Sequence, residues 1–398
     1  MITGTLKIDF VYDELARIES LHQKRSLKRL DLSRARTVSF RGRELLNFSS
    51  NDYLGLSQDE RVRQAAKDAI DHYEASCASS RLVCGNTSLH EQLEEELARF
   101  KGRESALVFS SGYMTNIGVV PALAGEGDFI CSDELNHASI IDGCRLSRAK
   151  TLVFRHRDLS HLESLLKTAG SGRKLIVSES VFSMDGDICD VVGLYEMARR
   201  HDAWLILDEA HATGVLGKTG RGAIEHFKDL GKLKPSQRVA DLEIGTLSKA
   251  LGSFGGFVVC DRVVRDLLIN KVRSFIFSTA LPPASVGAAR RSLAILCRES
   301  ALRESLWENT RMLKGKLHSL GFLTGPSETP IMPIRFDSET LAVEASNKLL
   351  ERGFFVPAIR PPTVPKGTSR LRLTMSALHS KAEIESLVQA LAEVRDGF

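Results

Sequence analysis

Seven short apolar runs between residues 106 and 259 constrain the fold of this chain more than any other feature. Each run is too short to be a core helix, and polar loops or helix-like segments separate one run from the next. Buried strands that alternate with helices are typical of a parallel sheet covered by helices. The sequence therefore predicts an α/β fold with a mostly parallel seven-stranded sheet, whose strands would be 106–109, 129–131, 152–154, 175–177, 204–207, 244–247 and 257–259.

The apolar pattern changes after Pro282 and Pro283. A long helix is predicted over 285–320, and two short strands near 332–336 and 371–374 are followed by closing helices. This order of elements is typical of a smaller α+β domain. The predicted division of the chain is an N-terminal helical segment (1–46), a large domain (47–284) and a small C-terminal domain (285–398).

The residues before the sheet carry sequence signals for individual helices and a loop. Amphipathic spacing predicts helices over 11–30 and 59–73. A capping-box pattern at Ser88 predicts the start of another helix, which Gly102 would end. The stretch 45–55 is rich in Asn, Ser and Gly, and it is predicted to be a loop.

Composition excludes several classes of protein. The chain has 398 residues, 43% hydrophobic and 26% charged, which argues against disorder. A net charge of +4 without a basic run does not favour nucleic acid, and no run reaches the length of a membrane span. The seven cysteines are scattered and form no Cys-x-x-Cys pair, which argues against a disulfide framework and a zinc site. We expect a cytoplasmic protein that holds no metal and binds neither membrane nor nucleic acid.

Lys249 is the first candidate for chemistry. It lies in the stretch Gly-Thr-Leu-Ser-Lys-Ala-Leu-Gly (245–252), where small neighbours leave its amine accessible to a ligand. A lysine flanked by Ser and Gly is usually a solvated loop residue, so this stretch alone does not establish a site. The other candidates follow different strands of the same predicted sheet.

Asp208 ends an apolar strand, where a buried carboxylate needs a cationic partner, and His211 follows it closely. Gly112 and Tyr113 lie in a strand-to-helix turn that suits a phosphate. His137 and Ser183 follow two further strands, where a ring can stack on a planar ligand and a hydroxyl can donate to it. An acid, a phosphate turn, a stacking ring and a lysine are together what pyridoxal 5'-phosphate requires.

With these residues in view, the chain resembles the α-oxoamine synthase family of fold type I pyridoxal-phosphate enzymes. The resemblance extends over nearly the whole chain from about residue 45 onward, and its markers are ordered as in that family. They are NFSSNDYLGL (47–56), RLVCGNT (81–87), FSMDGD (182–187), DEAH (208–211), TLSKALG (246–252) and FSTALPP (277–283). The resemblance implies an aminotransferase-like large domain that binds the cofactor.

The resemblance also implies a role for each matching residue. Lys249 would bind the cofactor covalently and act as the base, and Asp208 would pair with the pyridine nitrogen. His137 would stack on the ring, while Ser183 and His211 would bind its phenolic oxygen. The phosphate would be held by Gly112, Tyr113 and Thr246, with Ser278 and Thr279 contributed by the partner subunit of a homodimer.

The substrates are also expectations from the family. Arg372 resembles the anchor of the amino-acid carboxylate, Asn51 is a second substrate residue, and either Arg25 or Arg29 would be the family's N-terminal arginine. Arg360 and Thr363 resemble the branch that joins L-alanine to a pimeloyl thioester of CoA or carrier protein, with loss of carbon dioxide.

Two alternatives remain open from the sequence: a related synthase that uses glycine and a short acyl-CoA, and a subunit without catalytic activity. The chain departs from the family pattern in a glycine-poor stretch (74–80), at Ala212 and over 188–191. The first departure leaves the length of the acyl chain open.

Overall fold

The computed structural model describes residues 7–21 and 23–396. Residues 1–6 and His22, within the predicted N-terminal segment, and 397–398, within the predicted C-terminal domain, lie outside this range. The helices are α1 (Asp9–Ser20), α2 (Glu60–Tyr73), α3 (Ser88–Lys101), α4 (Gly112–Leu123), α5 (Ala138–Ser147), α6 (Leu159–Thr168), α7 (Val191–Arg200), α8 (Ala223–Asp229), α9 (Arg262–Lys271), α10 (Arg273–Ile276), α11 (Pro283–Arg298), α12 (Ala301–Ser319), α13 (Glu339–Glu351) and α14 (Lys381–Asp396). The strands are β1 (Leu32–Ser33), β2 (Thr37–Phe40), β3 (Arg43–Asn47), β4 (Ser105–Phe109), β5 (Phe129–Asp133), β6 (Lys150–Phe154), β7 (Lys174–Glu179), β8 (Ala203–Asp208), β9 (Leu242–Thr246), β10 (Gly256–Cys260), β11 (Ile331–Arg335), β12 (Phe354–Phe355), β13 (Ala358–Ile359) and β14 (Arg370–Thr374).

The central sheet has seven strands in the order β4-β10-β9-β8-β7-β5-β6, which confirms the predicted α/β fold. These strands correspond to the seven apolar runs and differ from them only at their ends. Every residue of β4, β9 and β10 is buried, because helices cover both faces of the sheet. Only β10 runs antiparallel to its neighbours. The carboxyl ends of β4, β5, β7, β8 and β9 therefore lie at one edge of the sheet.

The helix predicted over 285–320 is two helices, α11 and α12, so that prediction is wrong. Glu299 adopts an extended conformation (φ −122°, ψ 105°) between them. Its carboxylate forms an ion pair with Arg61 of α2 at 2.5 Å, while α11 packs along α2. The break thus coincides with a contact between distant residues, which helical periodicity does not report.

The N-terminal segment is only partly helical, contrary to the prediction. α1 ends at Ser20, and residues 23–30 have no regular secondary structure. The strands β1, β2 and β3 follow, and β3 includes the first residues of the stretch predicted to be a loop. β3 pairs in parallel with β12, so the two ends of the chain share a four-stranded sheet. A strand partner about three hundred residues away leaves no local pattern.

The remaining predictions before the sheet are confirmed, with one change. α2 and α3 lie where helices were expected, and Gly102 ends α3 in the left-handed conformation (φ 67°). The N-cap of α3 is Thr87 rather than Ser88.

The C-terminal part contains the three-stranded sheet β11-β14-β13; α13 packs against this sheet, and α14 packs against α12 and α13. β14 carries Arg372 and Thr374, and the backbone N–H of Thr374 donates to the carbonyl of Phe48 at 2.8 Å. This contact brings the strand to the Asn51 region. Within the described residues, no helix has the length and apolar character needed to cross a bilayer.

Candidate active site

Most of the predicted site residues lie together at the carboxyl edge of the central sheet. Asp208 is the last residue of β8 and Thr246 the last of β9, and Lys249 follows in the next loop. His137 follows β5, and Gly112 follows β4. Parallel strands therefore bring residues more than a hundred positions apart into one cleft.

Gly112 and Thr246, both predicted to bind the phosphate, lie side by side at one end of the cleft. Gly112 begins α4, whose N-cap Ser111 accepts a hydrogen bond from the N–H of Met114 at 3.1 Å. A Cβ atom on Gly112 would lie 3.6 Å from Cβ of Thr246, so the glycine leaves space beside the threonine hydroxyl. The first N–H groups of a helix have no partner within the helix and favour an anion. Thr246 Oγ1 donates to the carbonyl of Gly255 at 2.9 Å and lies 2.7 Å from the hydroxyl of Ser248. The N–H groups that begin α4 and the Ser248 hydroxyl are thus the donors at this end of the cleft.

Asp208 is buried, and each of its carboxylate oxygens accepts one hydrogen bond. Oδ2 accepts from Asn116 Nδ2 at 2.7 Å, and Oδ1 accepts from the N–H of Ala210 at 2.9 Å. A carboxylate has about four lone-pair positions, so capacity remains for a protonated ring nitrogen. Asn116 fixes the orientation of the carboxylate from the second turn of α4.

The same asparagine connects Asp208 to His137. Asn116 Nδ2 also donates to Ser139 Oγ at 3.0 Å, and Ser139 Oγ lies 2.7 Å from His137 Nδ1. Desolvation lowers the pKa of His137, and the negative charge of Asp208 offsets only part of this lowering. The imidazole is therefore neutral and held by one nitrogen, and its ring meets that of Tyr113 edge-on at 6.4 Å.

Lys249 faces charges of both signs. Burial lowers the pKa of its amine, the carboxylates of Asp208 and Glu179 raise it, and Arg372 lowers it further. The net direction is downward, which favours a neutral amine that can act as nucleophile and base.

Glu179 is a buried carboxyl group that the sequence analysis did not select. It is the last residue of β7 and pairs directly with Asp208 of β8. Burial and the charge of Asp208 raise the pKa of Glu179 to about 8. Two carboxyl groups side by side do not both ionise easily, so Glu179 holds a proton at neutral pH.

Arg372 is nearly buried, and the protein holds its guanidinium on several sides. Nε donates to the carbonyl of Ser183 at 2.6 Å, and Nη1 donates to Thr374 Oγ1 at 2.9 Å. Asn51 Oδ1 accepts from both terminal nitrogens at 3.2 Å. The structure thus brings Asn51, Ser183 and Arg372 together beside Lys249, although they were predicted from three separate motifs.

His211 is buried, and its Nδ1 lies 2.6 Å from the hydroxyl of Tyr53. Burial lowers the pKa of His211 well below its usual value and raises the pKa of Tyr53 to about 12. Both groups are therefore neutral. In the tautomer in which Tyr53 donates to Nδ1, the ring proton of His211 is on Nε2 and is available to an acceptor in the cleft.

Arg360 and Thr363 form a second group, on the segment between β13 and β14. Arg25 donates to Thr363 Oγ1 at 2.9 Å, and Arg360 donates to the carbonyl of Lys24 at 3.0 Å. Arg29 is almost fully exposed and lies 3.8 Å from Asp31. The structure therefore brings Arg25, and not Arg29, to the predicted substrate residues.

Thr279 lies apart from both groups. It pairs with Ser80 by an isolated bridge and is exposed on the surface of the subunit, as is Phe277.

Three residues that the sequence analysis missed support the cleft: Asn116, Ser139 and Glu179. Asn116 is one helical turn after Gly112, so helix spacing indicated its position on the same face. The contact of Glu179 with Asp208 depends on strand pairing, and the contact of Ser139 with Asn116 depends on the packing of α4 against α5, so neither had a comparable signal.

This geometry was compared with known proteins. The family model described as aminotransferase class I and II matches residues 43–391. A protein named 8-amino-7-oxononanoate synthase from Geobacter sulfurreducens is 45% identical over 384 residues, which are 96% of each chain. The protein of the same name from Lysinibacillus sphaericus is 44% identical over 382 residues, also 96% of each chain. The chain belongs to the 8-amino-7-oxononanoate synthase family of class I and II aminotransferases. The family resemblance predicted from the motifs is confirmed.

Solved structures agree with this family. A structure of SPT with its PLP internal aldimine is 30% identical, with a TM-score of 0.90, and 98% of each chain is covered. The 8-amino-7-oxononanoate synthase from Francisella tularensis is 30% identical, with a TM-score of 0.76 over 89% of this chain and 98% of that chain. The synthase family thus shares the arrangement of this chain across nearly its whole length.

Proposed function

We propose that this chain is an acyltransferase that uses pyridoxal 5'-phosphate to join L-alanine to a pimeloyl thioester. The products are 8-amino-7-oxononanoate, carbon dioxide and the free thiol of CoA or carrier protein, a step of biotin biosynthesis. The observation that carries the proposal is the placement of Lys249 among Asp208, Glu179 and Arg372. The names of the relatives support the choice of substrates.

The residues of the cleft fit pyridoxal 5'-phosphate. The N–H groups that begin α4 and the Ser248 hydroxyl beside Thr246 suit its phosphate, and the remaining acceptor capacity of Asp208 suits its protonated ring nitrogen. His137 would stack on the ring, and Ser183 and His211 would bind its phenolic oxygen. When bound, this cofactor supplies an electron sink that stabilises negative charge on the α-carbon of the amino acid.

Lys249 and Arg372 act on the amino acid. The Arg372 guanidinium binds the substrate carboxylate, and Asn51 fixes the orientation of that guanidinium. Lys249 Nζ takes the proton from the α-carbon, which its lowered pKa favours. Glu179 carries a proton at neutral pH beside Asp208.

The acyl thioester would be bound by the second group. Arg360 and Thr363 provide a cation and a hydroxyl for the far end of the acyl chain, and Arg25 holds Thr363 in place. Bond formation between the α-carbon and the acyl carbon releases the thiol, and loss of carbon dioxide then leaves the aminoketone.

The proposed enzyme is a homodimer in which Ser278 and Thr279 complete the phosphate site of the partner subunit. The exposure of Thr279 and Phe277, away from the cleft of their own subunit, supports this arrangement. A cytoplasmic location is supported by four buried free thiols, those of Cys131, Cys144, Cys189 and Cys260.

The proposal is tested with the purified protein, the cofactor and two substrate pairs. L-Alanine with pimeloyl-CoA is expected to release thiol and carbon dioxide in equal amounts, with the aminoketone identified by mass spectrometry. Glycine with acetyl-CoA is expected to be turned over far more slowly. Turnover with the glycine pair alone would contradict the substrate assignment.

Lys249→Ala is the matched control for the chemistry. The wild-type protein is expected to show the visible absorbance of covalently bound cofactor, and the variant is expected to lose both this absorbance and turnover. A wild-type protein that takes up no cofactor would instead indicate a subunit without catalytic activity.

A further inference from the structure

His156 lies between two buried carboxylates behind the active-site cleft. Its Nδ1 is 3.0 Å from Asp133 Oδ1, and its Nε2 is 2.9 Å from Asp187 Oδ2. The side chains of Asp133 and Asp187 are 2% and 0% exposed. The ring of Phe182 meets the imidazole edge-on at 4.4 Å. An imidazole that faces an acceptor with each nitrogen is satisfied only when both nitrogens carry protons.

The charges around this histidine come from four parts of the chain. Asp133 ends β5 and Glu134 follows it, Asp187 follows β7, Arg157 comes directly after His156, and Glu328 precedes β11. Arg157 lies 3.4 Å from Asp187 and 4.0 Å from Glu328. Glu134 accepts the backbone N–H of His156 at 2.8 Å. Acidic groups outnumber basic ones, so the environment favours a charged imidazole.

The two carboxylates belong to the loops that carry proposed cofactor residues. Asp133 is four positions before His137, and Asp187 is four positions after Ser183. Asp133 also accepts the backbone N–H groups of Leu135 and Arg157. His156 itself is on the loop between β6 and α6, so it joins three loops through side chains.

We propose that His156 is a positioning residue: its doubly protonated imidazole bridges Asp133 and Asp187 and so holds the loops of His137 and Ser183 in the geometry that binds the cofactor. This inference rests on the proposed function, because it assigns His137 and Ser183 to the cofactor. His156 does not touch the cofactor or the substrates.

The bridge has a defined pH range. Burial by itself lowers the pKa of His156, but the hydrogen bonds to Asp133 and Asp187 outweigh it and raise the pKa to about 9. A pKa raised in the folded state means that the bridge is complete below the ordinary histidine value and is lost as pH rises through about 9. Cofactor binding should therefore weaken over that upper range.

The test measures binding of 4'-deoxypyridoxine 5'-phosphate to the apoprotein by fluorescence titration. This probe lacks the aldehyde and forms no covalent bond to Lys249, so the measured affinity does not include the pH dependence of that bond. His156→Gln is expected to bind the probe more weakly by roughly tenfold at neutral pH, the size typical of a lost contact behind a binding group. The ratio of the two affinities should approach one as pH exceeds the pKa of about 9.

His201→Gln is the matched control, since His201 is the C-cap of α7 and its ring lies 3.7 Å from Glu163 rather than beside Asp133 or Asp187. It should bind the probe as the wild type does. Asp187→Asn removes the charge at one end of the bridge and should weaken probe binding in the same direction, so it keeps the test decisive if His156→Gln fails to fold.

Three outcomes are distinguished. Wild-type apoprotein that does not bind the probe would overturn the proposed function itself. If the wild type binds the probe and His156→Gln binds it equally well, the role of His156 alone would be overturned. The same holds if the ratio of the wild-type and variant affinities does not change with pH. A ratio that declines with rising pH, with His201→Gln unaffected, would support it.

Discussion

At the scale of single residues, Asn116 connects the acid and the aromatic ring of the proposed cofactor site. It donates to Asp208, which would pair with the ring nitrogen of the cofactor, and to Ser139, which holds His137. Its own Oδ1 is buried and has no hydrogen-bond partner within the described residues. An unsatisfied acceptor inside a protein is costly, so the orientation of this amide is retained for the two bonds that it donates.

Asn116→Ala is expected to destabilise the apoprotein by about 1–3 kcal/mol and to weaken cofactor binding, because Asp208 loses a buried donor. Ser139→Ala, which interrupts only the His137 end, should have the smaller effect on both quantities. Urea unfolding and cofactor titration measure them. Equal effects of the two variants would show that Asn116 does not orient Asp208.

Arg25 and Arg29 form a second comparison at this scale. Arg25→Ala is expected to raise the KM for the acyl thioester by about tenfold, corresponding to the 1.4 kcal/mol of one charge-assisted hydrogen bond. Arg29→Ala should leave this KM unchanged, because the Arg29 side chain faces solvent and its nearest charged partner is Asp31, at 3.8 Å. Steady-state kinetics with varied thioester provide the measurement. The assignment would be wrong if Arg29→Ala had the larger effect.

At the scale of elements, the packing of α4 against α5 positions the cleft. α4 carries Gly112 and Asn116, and His137 is the N-cap of α5. A Cβ atom on Gly143 of α5 would lie 2.8 Å from the carbonyl oxygen of Asn116, which is closer than normal contact. The glycine therefore allows the two helices to approach.

Gly143→Ala is expected to cost about 1–3 kcal/mol of unfolding free energy, since overpacking forces α4 and α5 apart. The same variant should also bind the cofactor more weakly. The matched control is Gly315→Ala in α12, where nothing lies within 4 Å of the new Cβ atom. That variant should gain up to about 1 kcal/mol from helix propensity. Similar effects of both substitutions in urea unfolding would contradict this account of the helix contact.

At the scale of the whole molecule, the proposed dimer predicts complementation between inactive subunits. Lys249→Ala removes the base in its own subunit, and Thr279→Glu places a negative charge at the partner's phosphate site. An equal mixture, unfolded and refolded together, should recover about a quarter of wild-type activity, because half of the dimers would be mixed and each would hold one intact site.

The control for complementation is the same mixture without refolding, in which the subunits do not exchange. Activity there should equal the average of the two variants. If refolding adds no activity, Thr279 acts within its own subunit or not at all.

The sequence by itself determined the central sheet and the cofactor class. Strands buried on both faces, such as β4, β9 and β10, have apolar centres, and the edge strand β6 keeps a short apolar run, so the seven runs were visible without any knowledge of their order. The groups that follow β4, β5, β7, β8 and β9 share one edge as a consequence of parallel pairing. Lys249, Asp208 and His137 were therefore predicted as one site from their positions after strands.

Tertiary structure decided the features that depend on contacts between distant residues. Glu299 pairs with Arg61 at the break between α11 and α12, β12 provides the partner of β3, and Thr363 distinguishes Arg25 from Arg29. Local periodicity reports which face of an element is buried, but it carries no information about the partner that buries it. The bridge at His156 is of the same kind: the ionisation of its ring depends on Asp133 and Asp187, which the fold brings to its two nitrogens.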